Sequence, residues 1–272
     1  MGESYTPVDS IDSSGFAEIY QGFGFQRTVS RDPASLSYIV ELGQNLSILM
    51  IDANTAGAPG RVKPETLGWI KTQLARAERN GTRVLAVTHQ NLLQHNSVFS
   101  SGFVLENAEE LLSLLKRYHA ICNLSGHMHI QHIAGRDSCL PDIATASLMV
   151  SPNQYGVLTL DQNKAEYRTE TVDVSAWASR RGLTDPNLRN FVDYSRKFFY
   201  DTAYRQAMTE TKNTALADFF AKANAAYFAG RIDALDWNET LYQDWTQHQS
   251  FLSVYLQSIA AGTDQTTFSF QF

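Results

Sequence analysis

Two stretches decide the fold: Val84-Leu-Ala-Val-Thr-His89 and Ile121-Cys-Asn-Leu-Ser-Gly-His-Met-His129. Each opens as a short apolar run of the kind buried in the middle of a sheet, and each ends in histidine. Between them, Leu111, Leu114, Leu115 and Tyr118 share one helical face, and Asn107 and Glu110 have capping-box spacing, so a helix is predicted to start at Asn107. Working outward, Leu36–Leu42 and Leu46–Asp52 read as strands. Residues 64–80 read as a helix, with Pro64 in the first turn, Leu67, Ile70 and Leu74 on one face, and Gly81 just past the end. Strand, helix, strand, helix, strand is the order of an α/β layer. Further strands are predicted at His129–Ala134, Ile143–Val150, Gly156–Leu160 and Ala165–Thr171, as a second sheet or an antiparallel continuation. Beyond them the period becomes helical: Phe191/Tyr194/Phe198, Leu216/Phe219/Phe220/Tyr227 and Leu252/Tyr255/Leu256/Ile259 each line one face, as core and docking stripes. The expectation is an α/β (α+β) domain over residues 1–172 followed by an all-α domain over 173–272.

Composition narrows the function classes. The chain has 272 residues, 43% hydrophobic and 18% charged, which supports a packed core and excludes disorder. Its formal charge is −6 with no basic block, so no nucleic-acid surface is expected. No apolar run approaches the roughly 18 residues of a membrane span. The start, MGESYTPVDS, has neither the basic nor the apolar region of a signal peptide, so no targeting segment is read and the location stays open. Cys122 and Cys139 are too few for a disulfide framework.

Histidine says more. Six of the seven fall between residues 89 and 132. His89 and the His127/His129 pair stand at the carboxyl ends of two predicted strands, the edge of an open α/β sheet where ligands bind. If that segment is extended, the i, i+2 spacing turns both imidazoles to one side, and Gly126 permits a tight turn before them. Neutral imidazole ligates Mn, Fe and Zn, so these three are the candidate metal ligands. His95 and His132 are candidate outer-shell or substrate-facing groups, and His119 a structural one. Carboxylates are scarce: there is no Asp or Glu from 79 to 105 or from 111 to 136, and Asp52, at a strand end, is the best-placed one. Three histidines alone describe a mononuclear zinc hydrolase, and a non-catalytic binding module is a further alternative.

The segments VTHQNL (87–92) and SGHMHIQH (125–132) resemble the last two metal motifs of the calcineurin-like metallophosphoesterases. With SLSYIVEL, LMIDAN, ETLGWIKTQL, HQNLLQHN and NAAYFAG, the pattern is most similar to the bacterial cyclic-nucleotide phosphodiesterase-like branch, which carries a C-terminal helical domain. The resemblance implies a β-sandwich flanked by helices and a phosphodiesterase using two metal ions (Mn, Fe or Zn) to activate water on a small phosphoester. It implies His89 and His127 on one metal and His129 on the other. Asn91 and His95, in the loop after His89, would lie near the substrate, and from that loop position His95 or a neighbour is the candidate to protonate the leaving oxygen. The family's earlier motifs, an Asp-x-His, a bridging Asp and an Asn-His pair, do not occur here. The chain therefore resembles the C-terminal portion of a member, with weak or absent activity alone, and self-association or a partner chain is expected to cover an exposed sheet edge.

Overall fold

The computed structural model describes residues 9–43, 45–55 and 58–272. A short helix, α1 (Ser13–Ile19), is capped by Asp12, which accepts from Gly15 N at 2.8 Å. Strands β1 (Thr28–Arg31), β2 (Tyr38–Gly43) and β3 (Leu46–Met50) follow as an antiparallel run, with a small ribbon of β4 (Asn54–Thr55) and β5 (Ala58–Pro59) after them. Next come α2 (Pro64–Arg79), β6 (Arg83–Val87), α3 (Ala108–Arg117), β7 (Asn123–Ser125), β8 (His132–Ala134) and β9 (Asp142–Ala144). They complete a seven-stranded sheet in the order β1-β2-β3-β6-β7-β9-β8. Its centre, β3-β6-β7-β9, is parallel, and both flanks are antiparallel. A second, antiparallel sheet is made by β10 (Gln154–Leu160), β11 (Lys164–Thr171) and β12 (Thr267–Gln271).

The mixed α/β class is as expected, and three layers explain it. On one face of the large sheet, Leu49, Ala86 and Val84 pack against Leu67, Ile70 and Leu74 of α2 and Leu111 and Leu115 of α3, the residues whose helical spacing announced them. On the other face, Leu85, Ile121, Cys122, Ile133 and Ile143 meet Tyr167, Leu158, Phe268 and Phe270 of the small sheet, so two sheets face each other across a core. Between β11 and β12 the chain makes six further helices: α4 (Val174–Arg180), α5 (Pro186–Arg189), α6 (Phe191–Thr211), α7 (Thr214–Phe228), α8 (Glu239–Thr246) and α9 (Phe251–Ile259). Their core is built on Phe219, Phe220, Trp245, Leu252 and Leu256, and it takes in Met128 and Ile130 from the segment before β8. No described helix is long and apolar enough to cross a membrane.

Some local expectations differ. Asn107 does not cap α3; its side-chain amide instead accepts from Val62 N and donates to Val62 O, tying α3 to the approach to α2. The strand expected over 143–150 stops at Ala144, because the chain then turns, with Ser147 N donating to His129 O and Val150 N to Ser147 O. The strand expected from His129 begins only at His132. Strands β1 and β12 and helix α1 were not foreseen.

Candidate metal centre

All four parallel strands deliver their carboxyl ends to the same edge, where Ile51–Asp52, Thr88–His89, Gly126–His127 and Thr145 emerge. The loops are bound to each other. Gly126 N donates to His89 O at 3.1 Å, and Asn91 Nδ2 donates to Ser125 Oγ at 2.8 Å. A reciprocal amide pair joins Gln90 to Asn54 at 2.7 and 2.9 Å.

The Gly-His-Met-His segment is not extended. His127 and His129 both have left-handed backbone, with φ of 64° and 59°, and Met128 N closes a three-residue turn on Gly126 O at 2.7 Å. The glycine allowed for by the sequence is not the residue that takes the unusual angle. Left-handed backbone on a side chain of this size costs on the order of 1 kcal/mol per residue. The gain is that Met128 plunges into the helical core while the two flanking imidazoles stay accessible.

His127 Nδ1 lies 3.1 Å from His89 Nε2, with the ring centroids 4.9 Å apart and nearly perpendicular. Burial, and then the proximity of His127 and His129, hold His89 below the usual imidazole range, so it is neutral near pH 7 and keeps a lone pair. Two imidazole nitrogens sharing one first-row cation at the usual 2.0–2.1 Å stand about 3.0–3.4 Å apart, depending on the angle at the metal. The His89/His127 pair fits that requirement for one ion. A larger ligand set is a different matter: among the described residues, no three His, Cys, Asp or Glu side chains are grouped to hold a metal, so His129 is not gathered with the His89/His127 pair. Asp52 is a loop former, its carboxylate accepting from Leu36 N at 3.0 Å and Asn54 N at 2.9 Å. It also lines, with His89, a cavity of about 440 Å³ walled by Phe16, Tyr20, Phe23 and Tyr38.

His127 and His129 open on the other side into a cavity of about 310 Å³. Its walls are Phe99, Phe103, Phe251 and Tyr255, with Gln206 and Asn224 as polar members. The Phe103 ring stands 5.2 Å from that of His127. The helical region thus supplies one wall of the space in front of the histidines.

His95 and Asn91 take other places. Asn91 is buried between the loops. The His95 side chain is fully buried; its Nδ1 is 3.0 Å from His132 Nδ1 and its Nε2 is 3.3 Å from Asp142 Oδ2. These two histidines line a third cavity, about 200 Å³, against Tyr227, Ser258 and Gln265, rather than the one shared by His127 and His129. Burial works against ionisation of Asp142, yet the His95 contact and the bonds from Leu93 N and Asn123 outweigh it and hold the carboxyl below the usual range. Burial, then the neighbouring His95 and Arg136, push His132 down to about 3. His119 ends α3 with φ of 53°, a structural role in keeping with its expected one. Asp142 was missed by the sequence reading, because a buried carboxylate leaves no periodic signal.

Residues 173–266 match the family model for the C-terminal domain of cyclic nucleotide phosphodiesterase. No curated protein matches the chain. Among solved structures, the chain is similar to a dimetal phosphatase from Danio rerio at 13% identity and a TM-score of 0.45, over 58% of this chain and 65% of that one. It is also similar to GAP50, the anchor in the inner membrane complex of Plasmodium, at 17% identity and a TM-score of 0.36, over 46% of this chain and 45% of that one. The chain thus spans less than two thirds of either structure. The family match is confined to the helical region, and there it agrees with the resemblance to the cyclic-nucleotide phosphodiesterase-like branch.

Proposed function

We propose that this chain carries the imidazole half of a metal-dependent phosphodiesterase site, with His89, His127 and His129 as metal ligands and the helical region shaping access for a small phosphoester. The observation that carries this reading is the convergence of His89 Nε2 and His127 Nδ1 at 3.1 Å on the ligand-binding edge of the sheet. The family match over residues 173–266 supports the substrate class.

A cation held there supplies Lewis-acid stabilisation of phosphoryl charge and lowers the pKa of water. The chain's own residues do the rest. Neutral His89 offers a lone pair without first losing a proton. Phe99, Phe103, Phe251 and Tyr255 face the histidines as an apolar wall for the organic part of an ester and exclude bulk water from that side. Hydrolysis adds water across one P–O bond, and the leaving oxygen takes up a proton. His95, enclosed against Asp142 in a different cavity, is read as part of the scaffold beneath the site. The metals, Mn, Fe or Zn, need carboxylate partners beyond the imidazoles for a pair of ions, and self-association or a partner chain is one source.

Titration of Co²⁺ alone into the chain tests the reading. Wild type is expected to bind it, and His89→Ala, His127→Ala and His129→Ala each to lose that binding. Binding untouched by all three substitutions refutes the proposal. Turnover of a phosphodiester with a single equivalent bound favours the mononuclear alternative, and no binding at all favours the binding module.

A further inference from the structure

Below the histidine edge, one side chain touches both loops that carry it. Asp142, at the start of β9, is completely buried. Its Oδ2 accepts from Leu92 N at 2.6 Å and Leu93 N at 2.8 Å, the two N–H groups just after His89-Gln90-Asn91. Its Oδ1 accepts from Asn123 Nδ2 at 2.9 Å, and the same Asn123 amide reaches Thr88 Oγ1 at 2.8 Å, next to His89. Asn123 begins the strand that ends at Ser125, directly before Gly126-His127. His95 Nε2 stands 3.3 Å from Asp142 Oδ2.

We propose that Asp142 is the positioning residue of the histidine site, its two oxygens fixing the loop of His89 and the strand of His127 at the separation that lets their ring nitrogens meet. The geometry explains why a carboxylate stands here. Leu92 and Leu93 present two buried donors from one turn, and only an acceptor with several lone pairs serves both and still binds Asn123. Ionised, it makes stronger bonds than a neutral amide. Removing it leaves two buried N–H groups unpaired, and the loop must move to hydrate them. The inference rests on the reading of His89 and His127 as metal ligands, but the placement it describes is measurable without metal.

The experiment compares wild type, Asp142→Ala and Leu256→Ala. Leu256 is fully buried in the helical core, so its truncation lowers the melting temperature without removing a side-chain hydrogen bond from either loop. In metal-free protein, long-range ¹H–¹⁵N correlation spectra of the imidazoles report whether His89 Nε2 and His127 Nδ1 share a proton. The paired signature is expected in wild type and Leu256→Ala and lost in Asp142→Ala. With Co²⁺ as probe, Asp142→Ala is expected to bind about tenfold or more weakly, the scale typical of groups that orient metal ligands, while Leu256→Ala binds within about twofold of wild type. An unchanged imidazole signature in Asp142→Ala, or an equal loss of Co²⁺ affinity in Leu256→Ala, overturns the proposal. If wild type binds no Co²⁺, the metal reading fails, and the imidazole spectra alone still decide the positioning role.

Discussion

Gln131 joins the α/β part to the helical region through both its side chain and its backbone, and its truncation tests that seam. The residue is fully buried. Its Nε2 donates to Gln265 O at 2.9 Å, its Oε1 accepts from Tyr167 OH at 3.0 Å, and its backbone N donates to Phe228 O at 3.0 Å. Gln131→Ala spares the backbone bond and removes the other two. Tyr167 OH keeps Thr145 Oγ1 at 2.9 Å, so that loss is about 1 kcal/mol. The Gln265 carbonyl has no second donor among the described residues and is left buried and unpaired, at about 1–3 kcal/mol. The vanished Cγ methylene adds about 0.8 kcal/mol. A destabilisation of roughly 3–5 kcal/mol is therefore expected. Urea unfolding checks it, read by fluorescence, since Trp69 lies in the α/β part and Trp177, Trp237 and Trp245 in the helical region. A change below about 1 kcal/mol refutes the reasoning, as it would mean that water satisfies these groups and the seam is open.

Two further outcomes follow from the same contacts. His132, held at about 3 in the folded state against 6.5 when free, stays neutral where the unfolded chain takes up a proton. Stability is thus fully present above pH 6.5 and falls as the pH drops from there towards 3. His132→Gln is expected to flatten the dependence of the unfolding midpoint on pH within that window, and an unchanged slope in the variant counts against the assignment. Gly156→Ala places a methyl 2.6 Å from Tyr167 Cε2 and 2.8 Å from its hydroxyl. Tyr167 is buried and pinned by two hydrogen bonds, so the substitution is expected to cost about 1–3 kcal/mol by denaturation, and a neutral result would show that the Tyr167 ring can shift without loss.

The α/β layer was legible because β6, α2 and α3 announce themselves by apolar runs and helical spacing, and that information is local. The sites hidden from the sequence are those where tertiary contacts chose the conformation. His127 and His129 adopt left-handed backbone because Met128 is drawn into the helical core from between them. Asn107 satisfies Val62 rather than α3, a partner 45 positions away that no local rule supplies. Strand β12 alternates Phe268 and Phe270 inward, a strand pattern, but it stands beyond a helical stretch and its partner is β11. For the site, sequence picked out the imidazoles, and the structure brings His89 and His127 together and places His95 and Asn91 in the buried framework around them. Asp142 came only from the structure, since its importance lies in whose N–H groups it accepts.

The pairing of β12 with β11 bears on the order in which this chain acquires structure. Thr267 sits opposite Arg168, so six helices form an excursion between two neighbouring strands, entered after Thr171 and left before Thr267. Closing so long an excursion as a flexible coil carries an entropic penalty that grows with its length. A helical region that has already condensed on Phe220 and Trp245 brings its two ends near each other beforehand, and the last strand can then add to the sheet at low cost. Those helices would therefore consolidate before the small sheet is complete. A chain cut after residue 172 would forfeit β12 as well, leaving β11 as an unprotected edge prone to pair with other chains.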